Sequence, residues 1–346
     1  MLFIKMKTIK LLVVVVALLA GSACTRQVKN NQVEQQGATV VLAYVTSWSS
    51  VMPDPAHITH INYAFGHVND DFNGIRIDKE ERLRAIVDLK RQKPELVIML
   101  SIGGWGSGRF SEMAADEANR LAFAADCQRV VEEFGLDGID MDWEYPTTSI
   151  AKISSSPDDT DNFTLLMRDI RQAIGNDKLL TLASEAGAKY VDFIAIDQYI
   201  DFVNIMTYDM GSPPYHHAGL YRSEFTKYLS CEEAVEAHIN AGVPANRLTL
   251  GIPFYGRGGE AAFGFMDYKN LIKTEYTRNW DDVAKAPYLT DEEGKFIFTY
   301  ETTQSIALKC EFLKARGMLG AMYWDYNGDD DERTLSKAVY YGVMGE

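Results

Sequence analysis

The stretch LDGIDMDWEYP, residues 136–146, restricts the fold of this chain more than any other segment. Ile139, Met141 and Trp143 alternate with Asp140, Asp142 and Glu144, and a period of two predicts a β-strand over 136–144. Side chains two apart share a face, so the three acids line one side and the three apolar residues the other. Successive acids on that face lie ~6.6 Å apart along the strand. In an exposed antiparallel strand these acids would simply face water. In a strand covered on both sides they would crowd a poorly solvated interior, where each raises the pKa of the next. The surrounding elements decide between the two.

Further strands are expected at 40–48, 58–66, 96–104, 179–186, 201–209, 247–256 and 319–326. Between most of them run stretches with helical spacing, at 78–92, 116–135, 158–175, 230–242 and 302–317. This order favours an α/β fold with a parallel sheet. Such units fit a (β/α)8 TIM barrel, which typically takes ~250 residues, with a small α+β-type insertion after strand seven at 258–301. A doubly wound sheet would usually carry a Gly-rich phosphate loop, and SIGGWGSG after strand three lacks the G-x-G-x-x-G spacing. In a barrel, Ile139, Met141 and Trp143 meet the outer helices and the acids point inward. At least one acid then holds a proton near neutral pH. Glu144 falls at the C-terminal mouth, where barrel enzymes place their chemistry.

The first residues have a different purpose. Lys5, Lys7 and Lys10 precede the apolar run LLVVVVALLAG, and the small residues of SAC close it, a secretory signal over 1–23. Cys24 after those small residues resembles the acylated cysteine of a bacterial lipobox, although Gly21 stands where that box usually has Leu. Residues 24–38 are polar and aperiodic, a tether ahead of a catalytic barrel spanning 39–346. An exported, membrane-anchored lipoprotein is therefore expected, on the outer membrane and facing either the periplasm or the cell surface. Cys127, Cys231 and Cys310 are too sparse for a disulfide framework and read as small buried hydrophobes. The formal net charge is −15, and loss of the leader lysines makes it more negative, which argues against nucleic acid as a partner. His216 and His217 are adjacent and lack a spaced carboxylate, so they read as loop residues and no metal is expected.

DGIDMDWE resembles the D-G-x-D-x-D-x-E signature of glycoside hydrolase family 18, the chitinases and endo-β-N-acetylglucosaminidases. SIGGW, MTYD, FYGR and the Trp324 of YWDYNGDD are similar to that family's motifs on strands three, six, seven and eight, in the same order along the chain. The resemblance implies Glu144 as general acid and base. It implies Asp142 as the acid that orients the substrate's acetamido group, Asp140 as its buried, proton-sharing partner, and Tyr208 as the phenol bonded to the acetamido carbonyl. Trp324 would be the floor under the sugar before the cleaved bond. Tyr44, Ser101, Met206, Asp209, Tyr255 and Arg257 would form the surrounding substrate-binding shell, with Trp105 and Tyr145 along the groove. No cofactor is implied, and the chain is expected to act as a monomer on a glycan containing N-acetylglucosamine.

Three functions follow from that resemblance. One is retaining, substrate-assisted hydrolysis of β-1,4-linked chitin or chitooligosaccharides. The second is an endo-β-N-acetylglucosaminidase that cuts the chitobiose core of N-glycans. The third, a non-catalytic glycan-binding lipoprotein, fits poorly with a chain that keeps Glu144, Asp142 and Asp140. Trp105, Trp324 and the retained insertion lean toward linear chains.

Overall fold

A computed structural model describes residues 39–259 and 264–345. The signal, Cys24 and the tether lie outside the described residues.

Eight parallel strands close into a barrel. In chain order they are Val40–Thr46, His60–Val68, Val97–Gly103, Gly138–Asp142, Leu179–Glu185, Phe202–Met206, Leu248–Pro253 and Gly320–Trp324. Each pairs with the next, and strand one closes the ring against strand eight. Alternation along the strands divides the core in two. Val41, Ala43 and Val45 of strand one pack outward with the helices, whereas Val40, Leu42 and Tyr44 join Met99, Phe202 and Met322 inside the barrel.

Strand four follows the expected pattern. Ile139, Met141 and Trp143 are buried in the outer cluster, each contributing roughly 1.5–3 kcal/mol by leaving water. Trp143 stacks on Phe110 at 5.3 Å and meets the Phe163 ring edge-on at 5.7 Å, so two helices clamp this strand. The strand is shorter than expected and ends at Asp142, which leaves Glu144 on the turn at the barrel mouth.

The helices Glu117–Phe134, Asp159–Ile174, Cys231–Asn240 and Thr303–Ala315 match the expected ones. The expected helix at 78–92 divides into an α-helix, Glu80–Val87, and a 3-10 turn, Asp88–Arg91. Between strands one and two only a single 3-10 turn forms, Pro55–His57, so the first unit lacks its α-helix. The C-terminal helix Thr334–Met344 packs against strand one instead. After strand seven, an antiparallel sheet of Tyr255–Gly258, Met266–Asp267, Thr277–Asp281, Ala286–Thr290 and Phe296–Thr299 forms the insertion, with the short helix Tyr268–Leu271. It begins at Tyr255, a little earlier than the sequence suggests, and so carries Tyr255 and Arg257 to the mouth. Cys127, Cys231 and Cys310 are buried and unpaired.

Candidate active site

The site is built from the bottom of the barrel upward, starting at Asp140. This residue is fully buried, and its position on strand four lies opposite Ser101 of strand three and Thr181 of strand five. Its Oδ2 accepts hydrogen bonds from the Tyr44 phenol and the Ser101 hydroxyl, both at 2.8 Å. Its Oδ1 accepts from the Thr181 hydroxyl at 2.6 Å and the Asn204 amide at 3.1 Å. Burial pushes the Asp140 carboxyl up, and these four bonds pull it back. The net effect leaves the carboxyl above its ordinary value, with both of its oxygens fully bonded. No hydrogen bond joins Asp140 to Asp142 among the described residues. Asp140 acts on Asp142 through its charge.

Asp142 sits one step up, at the end of strand four. Gly103 makes room for it: a Cβ there would fall 2.0 Å from the Asp142 carbonyl oxygen, and its φ of +131° suits glycine. The next residue, Gly104, donates its N–H to that same carbonyl at 2.8 Å. The double glycine of strand three thus lets the chain fold tightly over strand four. Buried Asp142 Oδ1 has no hydrogen-bond partner. Its carboxyl is pushed well above the usual range by burial, then by the charges of Glu144 and Asp140.

Glu144 lies half-buried in a cleft of 590 Å³ at the mouth. Burial raises its carboxyl to about 7 and the charge of Asp209 adds to this, whereas a hydrogen bond with Tyr145 opposes it. The Asp142–Glu144 pair therefore retains a proton at neutral pH. Tyr208 enters the cleft from just past strand six, with its phenol 3.9 Å from the Met322 sulfur. Burial and the charges of Asp142 and Glu144 raise the phenol far above neutrality, which keeps it a hydrogen-bond donor.

Three walls surround these groups. At strands eight, one and two, Trp324 lies 5.6 Å from both Tyr44 and Phe65 and 6.2 Å from Trp48. Across the mouth, Trp105 meets Tyr145 at 6.4 Å, and Tyr145 stacks on Tyr190 at 5.3 Å. On the third side, Asp209 accepts from the Tyr255 phenol at 2.8 Å and from Arg257 Nε at 2.6 Å. That pairing, together with His217, holds the Asp209 carboxyl far below the usual range despite its partial burial.

The structure gathers most of the expected residues at the cleft: Tyr44, Trp105, Asp142, Glu144, Tyr145, Met206, Tyr208, Asp209, Tyr255, Arg257 and Trp324 all line it. Ser101 does not. It is fully buried behind Asp140, so its place is beneath the carboxylates rather than against a sugar. His216 and His217 do lie in a loop, but both are buried. His217 approaches Asp209 at 3.5 Å, and His216 sits against Asp281 at 3.2 Å under the insertion. Trp48, Phe65, Glu185, Tyr228 and Phe265 also line the cleft, and the sequence reading did not single them out. They come from loops and strand ends without a motif; only the aromatic character of four of them was a signal.

Barrel and site together define a family. The family profile for "Glycosyl hydrolases family 18" matches residues 40–329, and the chain belongs to that family. It is similar to "Chitinase A1" of Niallia circulans, 30% identical over 85% of this chain and 56% of that protein, so it spans little more than half of that relative. "Chitinase 1" of Aphanocladium album is also 30% identical, over 77% of this chain and 70% of its own length. Among solved structures, a family 18 N-acetylglucosaminidase from Paenibacillus barengoltzii shares 35% identity and a TM-score of 0.80, covering 88% of this chain and 99% of that one.

Proposed function

We propose that the chain is a retaining hydrolase of β-1,4-linked N-acetylglucosamine chains, chitin or chitooligosaccharides, in which the substrate's own acetamido oxygen is the nucleophile. The observation that carries this reading is a buried Asp142 oxygen that has no partner within the protein, at a cleft that Asp142 lines together with Glu144 and Tyr208. An unsatisfied buried acceptor costs about 1–3 kcal/mol, which a substrate N–H would recover on binding.

In this reading the sugar before the cleaved bond rests on Trp324, with its acetamido N–H given to Asp142 and its carbonyl oxygen held by Tyr208. Glu144 gives its proton to the leaving oxygen as the acetamido oxygen bonds to the anomeric carbon. The positive charge of the resulting oxazolinium ion faces Asp142, with Asp140 beneath. Water then attacks the anomeric carbon, gives a proton to Glu144, and the ring opens with the original configuration restored. The names of the similar chitinases support a chitin-type substrate.

The test is product analysis on chitooligosaccharides beside a high-mannose glycoprotein. Shortened chitooligosaccharides that appear first as the β anomer, with the glycoprotein untouched, are the expected outcome. Release of the N-glycan alone would move the chain to the endo-β-N-acetylglucosaminidases. Binding without products would make it a glycan-binding protein.

The chain's setting is proposed on its sequence: a signal over 1–23, a tether over 24–38, and a monomeric catalytic barrel held to a bacterial membrane through lipid on Cys24. Cys24→Ser is expected to move the protein from the membrane to the soluble fraction, as read by fractionation and by mass spectrometry of the N-terminus. Wild-type protein found soluble and unacylated would overturn the anchor.

A further inference from the structure

Glu185 is the last residue of strand five and its side chain lines the cleft, yet nothing in the chemistry above uses it. One of its oxygens, Oε2, accepts the Gly187 N–H at 2.8 Å. The loop is drawn tight at that point: a Cβ on Gly187 would fall 2.3 Å from the Tyr228 phenol oxygen and 3.0 Å from Glu185 Oε2. The carboxylate is thus held in place rather than waving in solvent. Glu185 forms no ion pair among the described residues. Lys189, four positions on, sits over the Tyr228 ring at 4.8 Å from its centroid and makes no ion pair with Glu185.

The charge balance of the cleft points the same way. Asp142, Glu144, Glu185 and Asp209 line it, and Arg257 is the sole basic residue among the described lining side chains. Arg257 is already committed to Asp209. The whole chain carries −15, so a cationic polymer is drawn to this surface from a distance. Position in the ring gives the direction. Strands one and five stand opposite each other in an eight-stranded barrel, with Trp324 and Tyr44 at one side and Glu185 at the other. A chain that rests its reacting sugar on Trp324 and passes Glu144 meets strand five on the leaving-group side.

We propose that Glu185 selects a glucosamine unit on the leaving-group side, so that partially N-deacetylated chitin is cut preferentially between an N-acetylglucosamine and a glucosamine. This rests on the hydrolase reading above. The sugar before the cleaved bond must keep its acetamido group, because that group supplies the nucleophile. The sugar after it has no such duty. A protonated amine there offers three N–H donors and a positive charge to a fixed carboxylate, a stronger contact than any neutral hydroxyl can make.

The experiment is digestion of a partially deacetylated chitin of known composition, followed by sequencing of the new chain ends. For the wild type, the ratio of glucosamine to N-acetylglucosamine at new non-reducing ends is expected to exceed that of the polymer by about tenfold or more, the lower end of the scale of one charge-assisted hydrogen bond. New reducing ends should remain N-acetylglucosamine. Glu185→Gln keeps an oxygen for the Gly187 N–H, and its new non-reducing ends should return to the polymer's composition. Raising the pH until the sugar amines lose their protons should remove the enrichment from the wild type as well, a readout that needs no variant. Wild-type ends that follow the polymer's composition would overturn the proposal, and so would an enrichment that survives in Glu185→Gln. Failure of the hydrolase reading looks different: fully acetylated chitooligosaccharides would not be cut either, and both readings would fall together.

Discussion

Glu144→Gln is expected to leave a folded protein that binds chitooligosaccharides and turns them over on the order of 10²- to 10⁴-fold more slowly, the share usually supplied by general acid–base catalysis. Glutamine keeps the shape and the polarity of the side chain, but it has no proton to give to the leaving oxygen. Two further readouts separate this from a structural loss. In the wild type, kcat/KM should fall as pH rises through about 7, where Glu144 of the free enzyme loses its proton. That limb should be missing from the residual activity of the variant. In the variant, stability should rise while activity falls. Glu144 binds its proton more tightly in the folded state, about 7 against an ordinary 4.5, so the wild type loses stability as pH rises between those values. The glutamine variant escapes that cost and should melt higher than the wild type at alkaline pH. Turnover within tenfold of wild type would remove Glu144 from its role.

Asp142→Asn is expected to lower kcat by about 10²- to 10³-fold, the loss found when one preorganised group facing developing charge is removed. Asp142 carries two burdens in the proposed chemistry: it accepts the acetamido N–H, and it balances the positive oxazolinium ring. Asparagine can still accept the N–H, but it brings no charge. A thiazoline analogue of N-acetylglucosamine resembles the cyclic ion, so its affinity should fall with kcat in this variant while binding of an uncharged product changes less. Wild-type enzyme should leave cellooligosaccharides uncut. They share the β-1,4 linkage but carry a hydroxyl where the nucleophile must be. Efficient cleavage of that glucan, or equal loss of analogue and product binding in Asp142→Asn, would show that the acids do some other work.

Much of this arrangement is legible in the sequence because it rests on period and register. The alternation from Ile139 to Glu144 assigns one face to the helices and the other to the interior, and the outer cluster around Trp143 shows why: apolar side chains there have aromatic partners waiting. The double glycine of strand three is visible as a motif, although its close approach to Asp142 takes a structure to see. Other elements leave fainter traces. Helix Thr334–Met344 begins after Arg333 with φ +59°, its first N–H groups are held by the carboxylates of Asp329 and Asp330 further back, and its β-branched and aromatic residues do not advertise a helix. Helix Phe110–Ala115 is six residues long and has no side-chain cap from Arg109 before it. The missing first helix is legible as a gap, since only nine residues with two prolines separate the expected strands at 40–48 and 58–66, but the cover supplied from the far end of the chain is not. Glu185 escapes for a similar reason. As the last residue of a strand it could face solvent as well as a cleft, and only the fold of the following loop decides.

The four bonds to Asp140 come from Tyr44, Ser101, Thr181 and Asn204, on strands one, three, five and six, and Asn204 in turn accepts from Thr249 on strand seven at 2.7 Å. With its own strand four, one carboxylate thereby fastens most of the staves of the barrel, as a hub does its spokes. The consequence is evolutionary. A lineage drifting from cutting glycans toward merely holding them can discard Glu144 at the rim in a single step and keep its architecture. Asp140 offers no such freedom, since its loss strands several buried donors at once. Decay of function in this scaffold should therefore run from the mouth inward, with the deepest acid the last to go.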